Sequence, residues 1–236
     1  VLELGGSDAY LVLKDADVDL AVEKCSQSRL LNTGQSCIAA KRFIVHESLI
    51  TEFSQKMKKV FEKKKWGDPC EKGQDLGPMA RVDLRDELHK QVQDSVAKGA
   101  KCLTGGEIPE GPGAFYPPTI LIEVQPGQPA FEEELFGPVA SIISFNEIDE
   151  AIEISNQSNF GLGGGIFSRD TQKAYELAEK SLDTGSVFIN DFVKSDPRLP
   201  FGGVKESGYG RELSYFGIKE FVNIKTLCVQ SDGDSK

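Results

Sequence analysis

The chain has 236 residues, 39% hydrophobic and 27% charged, a balance typical of a globular protein with one large or two small domains. Its formal net charge of −10 argues against nucleic acid as a partner, because phosphate binding requires clustered Lys and Arg. No apolar stretch approaches the roughly 20 residues that would span a bilayer, so we expect no membrane partner.

Hydrophobic periodicity predicts alternating strands and helices along most of the chain. Strands are expected at 10–13, 42–46, 119–124, 140–145, 163–167, 186–190 and 223–230, and helices at 18–25, 49–65, 84–98, 147–157, 170–182 and 211–221. Asp15 or Asp17 would cap the first helix and Ser48 the second, since their side-chain oxygens accept from free backbone N–H groups. Such alternation indicates βαβ units. The sequence therefore predicts an α/β fold with a largely parallel sheet.

The five cysteines stand at irregular spacings, which is not the pattern of a disulfide framework. With two histidines and no Cys-x-x-Cys pair, the sequence predicts no metal site. These features favour a reducing compartment, and we expect the protein in the cytoplasm. The chain begins at Val1 rather than Met and enters a motif at once, so we expect a fragment of a longer protein.

Cys37 ends the run NTGQSC at 32–37 and is surrounded by small residues. These neighbours would let a substrate and backbone amides approach the sulfur. A thiol with the ordinary pKa of about 8.5 is mostly protonated at neutral pH, and it needs a positive neighbour, a base or a helix N-terminus to become nucleophilic. The residues alone leave two interpretations open, a nucleophile or a buried, inert cysteine. Cys25, Cys70, Cys102 and Cys228 lack such glycine-marked surroundings, which favours an inert role for them.

Glu3 lies in the run ELGG at 3–6, where its neighbours are apolar or glycine. Its carboxylate is either a solvated strand end or a deliberately placed acid–base group. A thiol and a carboxylate from separate segments would together suit two-step acyl chemistry, with capture on sulfur followed by hydrolysis. The three consecutive glycines at 163–165 are unusual in a strand and predict close approach of another backbone.

Four segments occur in a fixed order, ELGG at 3–6, NTGQSC at 32–37, EELFGP at 133–138 and PFGGVKESG at 200–208. In that order they resemble the aldehyde dehydrogenase superfamily over nearly the whole chain. The resemblance implies a three-layer α/β/α catalytic domain over 1–218 and an oligomerisation tail over 219–231, with a disordered end at 232–236. It also implies an upstream dinucleotide-binding domain that this chain lacks, and a homodimer or homotetramer. An edge strand within its own domain is the alternative for the tail.

The resemblance also implies roles for individual residues. Cys37 would attack an aldehyde and pass through a thiohemiacetal to a thioester, which Glu3 would hydrolyse as general base. The remaining assignments are Leu4, Gly5, Glu134 and Phe136 for the nicotinamide cofactor, and Phe192, Ser195 and Arg198 for the substrate. The cofactor would be NAD or NADP, and the residue that selects between them would lie in the absent domain.

Within the superfamily, the runs at 32–37 and 81–88 look most like succinate-semialdehyde dehydrogenases. Leu31 departs from that pattern, because many such enzymes place an Arg there to hold the substrate carboxylate. Arg29 is nearby but out of register, which leaves Arg198 as the candidate for this contact. Two other functions stay open, a cofactor-independent thiol esterase and a non-catalytic oligomerising fragment.

Overall fold

The computed structural model describes residues 1–230 of the chain, so the end expected to be disordered at 232–236 lies outside the described residues. The helices are α1 Val18–Leu30, α2 Ile50–Lys63, α3 Val82–Ala97, α4 Pro129–Glu132, α5 Ile148–Asn156, α6 Thr171–Ser181 and α7 Ser214–Lys219. The strands are β1 Leu2–Glu3, β2 Ala9–Val12, β3 Arg42–His46, β4 Lys101–Thr104, β5 Thr119–Ile122, β6 Val139–Phe145, β7 Phe160–Gly161, β8 Gly164–Phe167, β9 Val187–Ile189, β10 Val204–Lys205 and β11 Gly208–Tyr209. Among residues 1–230, no helix is long and apolar enough to cross a membrane.

Seven strands form the central sheet in the order β4-β5-β6-β3-β2-β8-β9. All neighbouring pairs are parallel except β4 and β5. From β2 the chain passes through α1 to β3 on one side, and from β6 through α5 to β8 on the other side of β2. The amino ends of β6, β3, β2 and β8 therefore lie side by side at one edge of the sheet.

Successive residues of a strand point to opposite sides of a sheet. Both sides of this sheet carry apolar side chains, and helices cover both of them. Tyr10 belongs to one core and Leu11 to the other. The first core also contains Val22 of α1 and the α2 residues Phe53 and Met57, and the second contains Leu88 of α3, Ala151 of α5 and Ala174 of α6. Strands buried on both faces are characteristic of parallel sheets. The three-layer α/β/α architecture is confirmed.

Most predicted helices and strands begin and end within a few residues of the predicted positions. Of the two predicted helix caps, one forms and the other does not. Asp17 caps α1, accepting from the Leu20 N–H at 3.1 Å. The cap predicted for Ser48 is wrong, because α2 begins after Leu49 without a side-chain cap. The Ser48 N–H donates instead to Nδ1 of His46 at 3.2 Å, which closes the turn after β3.

The tail expected to form a strand at 223–230 has no regular secondary structure within this chain. Its apolar side chains are largely in solvent, with Ile224 75%, Leu227 84% and Val229 90% exposed. A strand gains its stability from a hydrogen-bonded neighbour, and the described residues provide none for this segment. The helix expected at 211–221 is shortened to Ser214–Lys219.

The glycine triplet at 163–165 is explained by crowding against β2 and the residues before it. The Gly163 N–H donates to Oδ1 of Asp8 at 3.0 Å. A Cβ at Gly163 would lie 2.6 Å from Oδ2 of Asp8 and 2.9 Å from Val193, and one at Gly165 would lie 3.1 Å from the Tyr10 ring. Buried side chains, as well as backbone, thus require glycine here.

Replacing Gly163 with Ala should lower the free energy of unfolding, because the added methyl group meets both Asp8 and Val193. Overpacking of this kind costs about 1–3 kcal/mol. Urea unfolding of the purified protein measures the effect. Gly77→Ala is the matched control, since a Cβ there would meet only Pro69 at 3.8 Å. Equal stability of the two variants would contradict this account of the triplet.

Candidate active site

Residues from three of the four sequence motifs meet in one open cleft of about 510 Å³. Its lining consists of Leu4 and Gly5, then Gln35, Ser36 and Cys37, then Glu134 and Phe136. Each group precedes a strand of the parallel sheet, namely β2, β3 and β6. The cleft therefore lies at the amino edge of the sheet, where these strands begin side by side.

The run at 32–37 reaches the cleft through a left-handed turn. Asn32, Thr33 and Gly34 all have positive φ, at 51°, 57° and 73°. Asn and Gly adopt this region readily, but a β-branched residue such as Thr is uncommon there. The Thr33 hydroxyl offsets part of the strain by donating to the Gly77 carbonyl at 3.2 Å. Gly34 is required also for space, since a Cβ there would overlap the Gly137 carbonyl.

Cys37 follows this turn and is partly buried against the first core. Burial raises the pKa of its thiol above the ordinary value, while the nearby Lys41 ammonium and the Ile38 N–H lower it. Lys41 is itself only 1% exposed. Its Nζ donates to the carbonyls of Ser36 at 3.1 Å, Cys37 at 3.0 Å and Ala39 at 3.1 Å. One buried cation thus holds the loop that carries the thiol.

Glu134 connects this loop to the ELGG segment. Its Oε1 accepts from the Gly6 N–H at 3.0 Å and lies 3.3 Å from Nζ of Lys41. Gly5 leaves room for the carboxylate, since a Cβ there would lie 2.6 Å from Oε2 of Glu134. Phe136 lies at the rim and is 41% exposed. The residues predicted to hold the cofactor are therefore gathered beside Cys37.

The Glu3 carboxylate does not line this cleft in the described part of the chain. The Leu4 N–H donates to the Ser207 carbonyl at 3.1 Å, so this segment lies along the PFGGVKESG motif. A Cβ at Gly202 would lie 3.1 Å from Oε1 of Glu3, and neither Glu3 oxygen has a hydrogen-bond partner among the described residues. Burial raises the pKa of Glu3; Glu212 raises it further and Arg211 opposes this. All four motifs are thus in contact through the ELGG segment.

The three predicted substrate residues lie on the loop after β9 and do not line the Cys37 cleft within residues 1–230. Phe192 packs against the first core, and the next residue of its loop, Val193, donates its N–H to the Tyr10 hydroxyl at 2.7 Å. Ser195 is exposed. Arg198 is 85% exposed and forms a bidentate pair with Asp196 at 2.9 and 2.6 Å.

Sequence reasoning missed a group of buried charges beneath the thiol loop. Asp8, Arg29, Lys41 and Arg42 are at most 2% exposed. Burial raises the pKa of Asp8 to about 6, although Lys41 and Arg42 lower it. Arg29 donates to the Gly34 carbonyl at 2.5 Å and so supports the left-handed turn. The available signal was the Lys-Arg pair at 41–42 within an otherwise apolar run.

No group of three or more potential metal ligands from His, Cys, Asp and Glu occurs in the described range. The side chains that line the cleft are instead suited to an organic ligand. Glu134 supplies a carboxylate acceptor, and Leu4 and Phe136 supply apolar surface. Gly5 has no side chain to occupy the cleft, and a carboxylate acceptor beside apolar surface is the environment that hydroxyl-bearing and aromatic parts of a ligand require.

The chain is similar to known proteins over nearly its whole length. A Succinate semialdehyde dehydrogenase [NAD(P)+] Sad of Escherichia coli is 51% identical over 96% of this chain and 49% of its own length. A probable succinate-semialdehyde dehydrogenase [NADP(+)] of Synechocystis is 46% identical over 97% of this chain and 50% of its own length. The chain therefore spans about half the length of these relatives.

Solved structures show the same fold. The succinic semialdehyde dehydrogenase of Streptococcus pyogenes, in complex with NADP+, superposes with a TM-score of 0.93 at 41% identity and covers 97% of this chain and 50% of that one. Lactaldehyde dehydrogenase of Escherichia coli gives a TM-score of 0.94 at 31% identity, covering 97% and 48%. The model of the aldehyde dehydrogenase family matches residues 1–227. The chain belongs to the aldehyde dehydrogenase family.

Proposed function

We propose that this chain is the thiol-bearing half of an NAD(P)-dependent aldehyde dehydrogenase that oxidises succinate semialdehyde to succinate. The observation that carries the proposal is the single cleft that contains Cys37 together with Gly5, Glu134 and Phe136. A nucleophile beside a built binding surface favours dehydrogenation over the thiol esterase alternative, which needs no cofactor surface. The names of the curated relatives support the substrate class.

Cys37 is the proposed nucleophile. Its thiolate attacks the aldehyde carbon and forms a tetrahedral thiohemiacetal, and its backbone N–H donates to the developing oxyanion. Such a donor contributes about 3–4 kcal/mol to transition-state stabilisation in other enzymes. The left-handed turn at 32–34 supports this role, because strained backbone is retained where the surrounding contacts hold a reactive group in place.

The cofactor would lie against Leu4, Gly5, Glu134 and Phe136. Glu134 would accept hydrogen bonds from ribose hydroxyls, and Phe136 would restrain the ring by packing. A bound nicotinamide would supply a hydride acceptor beside Cys37, and loss of hydride from the carbon attached to the sulfur would leave the acyl group on Cys37 as a thioester. The existing bond from Gly6 to Glu134 orients the carboxylate for this role.

Glu3 is the proposed general base that activates water against the thioester. Its raised pKa suits this task, because a base works best when its pKa lies near the working pH. Its carboxylate must turn from Gly202 toward the Cys37 cleft to act. The unpartnered oxygens of Glu3 favour such a movement, since no hydrogen bond among the described residues holds them.

We place the protein in the cytoplasm. All five cysteines are free, at positions 25, 37, 70, 102 and 228. Free cysteines, three of them exposed, suit a compartment in which thiols remain reduced.

Catalysis should require both Cys37 and the upstream half of the enzyme. We expect this chain alone to reduce nicotinamide very slowly and a version extended upstream to reduce it rapidly with succinate semialdehyde. Cys37→Ala in the extended form should lower kcat on the order of 10⁴-fold or more, as loss of a nucleophile does elsewhere. Absorbance of the reduced cofactor, with NAD and NADP tested separately, measures both effects.

The control for this experiment is Cys70→Ala, which removes an exposed cysteine far from the cleft and should leave the rate unchanged. Ester hydrolysis without NAD(P) that equals the cofactor-dependent rate would favour the thiol esterase instead. Absence of dehydrogenation in the extended form with a broad panel of aldehydes would contradict the proposed function.

Arg198 is the proposed contact for the substrate carboxylate, released from Asp196 when substrate binds. Arg198→Met should lower kcat/KM for succinate semialdehyde about 10- to 100-fold, the effect of losing a charge-assisted hydrogen bond. The value for butanal, which has no carboxylate, should stay the same. Arg169→Met, which removes another exposed arginine, is the control. Steady-state kinetics of the extended enzyme would eliminate the role if both aldehydes respond equally.

The tail at 219–231 is proposed to join subunits of a homodimer or homotetramer. Exposed apolar side chains at 224, 227 and 229 support this, because exposed apolar surface favours a partner that covers it. A chain ending at Val222 should be monomeric, whereas one ending at Gln230 should keep the full assembly. Light scattering after size exclusion measures the masses, and identical masses would refute the assignment.

A further inference from the structure

Lys41 occupies an unusual position beneath the candidate nucleophile. It immediately precedes β3, and its side chain is 1% exposed. Three carbonyl oxygens, from Ser36, Cys37 and Ala39, lie 3.0–3.1 Å from its Nζ. The loop residues thus direct their carbonyls inward around one nitrogen.

This arrangement requires a protonated amine. An ammonium group has three N–H donors, which matches the three carbonyls, whereas a neutral amine has two and would leave one buried carbonyl unpaired. The Glu134 carboxylate, 3.3 Å away, adds an opposite charge on the outer side. At neutral pH, below the Lys41 pKa of about 8, a positive charge therefore lies directly under the thiol loop.

We propose that Lys41 is a positioning residue whose buried positive charge favours the thiolate form of Cys37 and whose three hydrogen bonds hold the thiol loop against Glu134. The proposal deepens the proposed function, because it assigns the group that activates the same nucleophile. The charge acts through the Cys37 backbone and the surrounding low-dielectric interior, where an ion interacts more strongly than in water.

Other charged groups near Lys41 and Cys37 also shift the pKa values of these two residues. Arg29 from α1 lies near Lys41 and, after burial, is the largest cause that lowers its pKa, to about 8. Asp8 before β2 and Glu134 before β6 raise the Lys41 pKa and also raise that of the thiol. Among the neighbouring charges, Lys41 lowers the thiol pKa most and so opposes the effect of burial. Removing its charge should therefore raise the pKa of Cys37.

The test measures the pH dependence of Cys37 alkylation by iodoacetamide in the full chain. Cys70, Cys102 and Cys228 are replaced by Ser, since they are exposed, and Cys25 is buried and protected. Peptide mass mapping identifies the labelled residue. The reaction needs neither aldehyde nor nicotinamide, so its result is independent of whether the proposed dehydrogenase activity is correct.

Three substitutions separate charge from hydrogen bonding. Lys41→Gln keeps N–H donors without charge, Lys41→Met removes both, and Lys41→Arg keeps both. We expect the Gln and Met variants to move the inflection upward by about one pH unit, which corresponds to roughly tenfold slower alkylation below the inflection. The Arg variant should remain near the unsubstituted protein. Lys59→Met, an exposed lysine on α2, should change nothing.

The variants are compared by the pH at the inflection of the alkylation rate profile and not by the limiting rate at high pH. A thiolate of higher pKa is also intrinsically more nucleophilic, which alters the limiting rate. Circular dichroism and thermal unfolding establish that each variant is folded. A folded Lys41→Gln variant whose inflection coincides with that of the unsubstituted protein would overturn the proposal and leave Lys41 a structural ion. Should neither neutral variant fold, an upward shift in Lys41→Arg would overturn it and an unchanged or lower inflection would support it.

Discussion

The parallel alignment of β6, β3, β2 and β8 is the constraint on which the site depends. Parallel strands begin at the same edge, so the segments that precede them become neighbours even though they are up to 155 residues apart, as are Asp8 and Gly163. Open α/β sheets usually bind ligands at the carboxyl ends of their strands. In this protein the candidate residues Cys37 and Glu134 and the ELGG segment lie instead at the amino ends of the strands.

Burying Asp8, Arg29, Lys41 and Arg42 at that edge is costly, since removing an ion from water costs several kcal/mol even after relaxation. Many of their partners are backbone carbonyls of the loops that shape the cleft. Arg29 binds Gly34, Lys41 binds the 36–39 loop, and Arg42 binds Ser7 before β2. A buried ion network is weak evidence for stability. Its value here is geometric, because each cation fixes a loop to a neighbouring helix or strand.

The sequence was sufficient for the fold and for the cleft-lining residues, because apolar periodicity and ordered motifs are local signals. It was insufficient where neighbours in space decide the outcome. Strand β4 was not predicted, since its four residues are partly exposed and depend on pairing with β5. Ser48 bonds His46 rather than capping α2. In the sequence, Lys41 looks like an ordinary lysine at the end of a strand. Its position is explained only by the three carbonyls that surround its Nζ in the structure. The substrate residues stay predictions, since Arg198 is paired locally with Asp196.

The rim of the cleft carries exposed apolar side chains. Leu4 is 50% exposed and Phe136 41%, so apolar surface lies beside the thiol on the open side. Such surface is costly in water at about 25 cal/mol per Å² and favours a covering partner. Relatives of which this chain covers about half the length have additional chain. Under the proposed function, covering the cleft would bury the thiol further and raise its pKa, which would make the positive charge at Lys41 more important than in this chain alone.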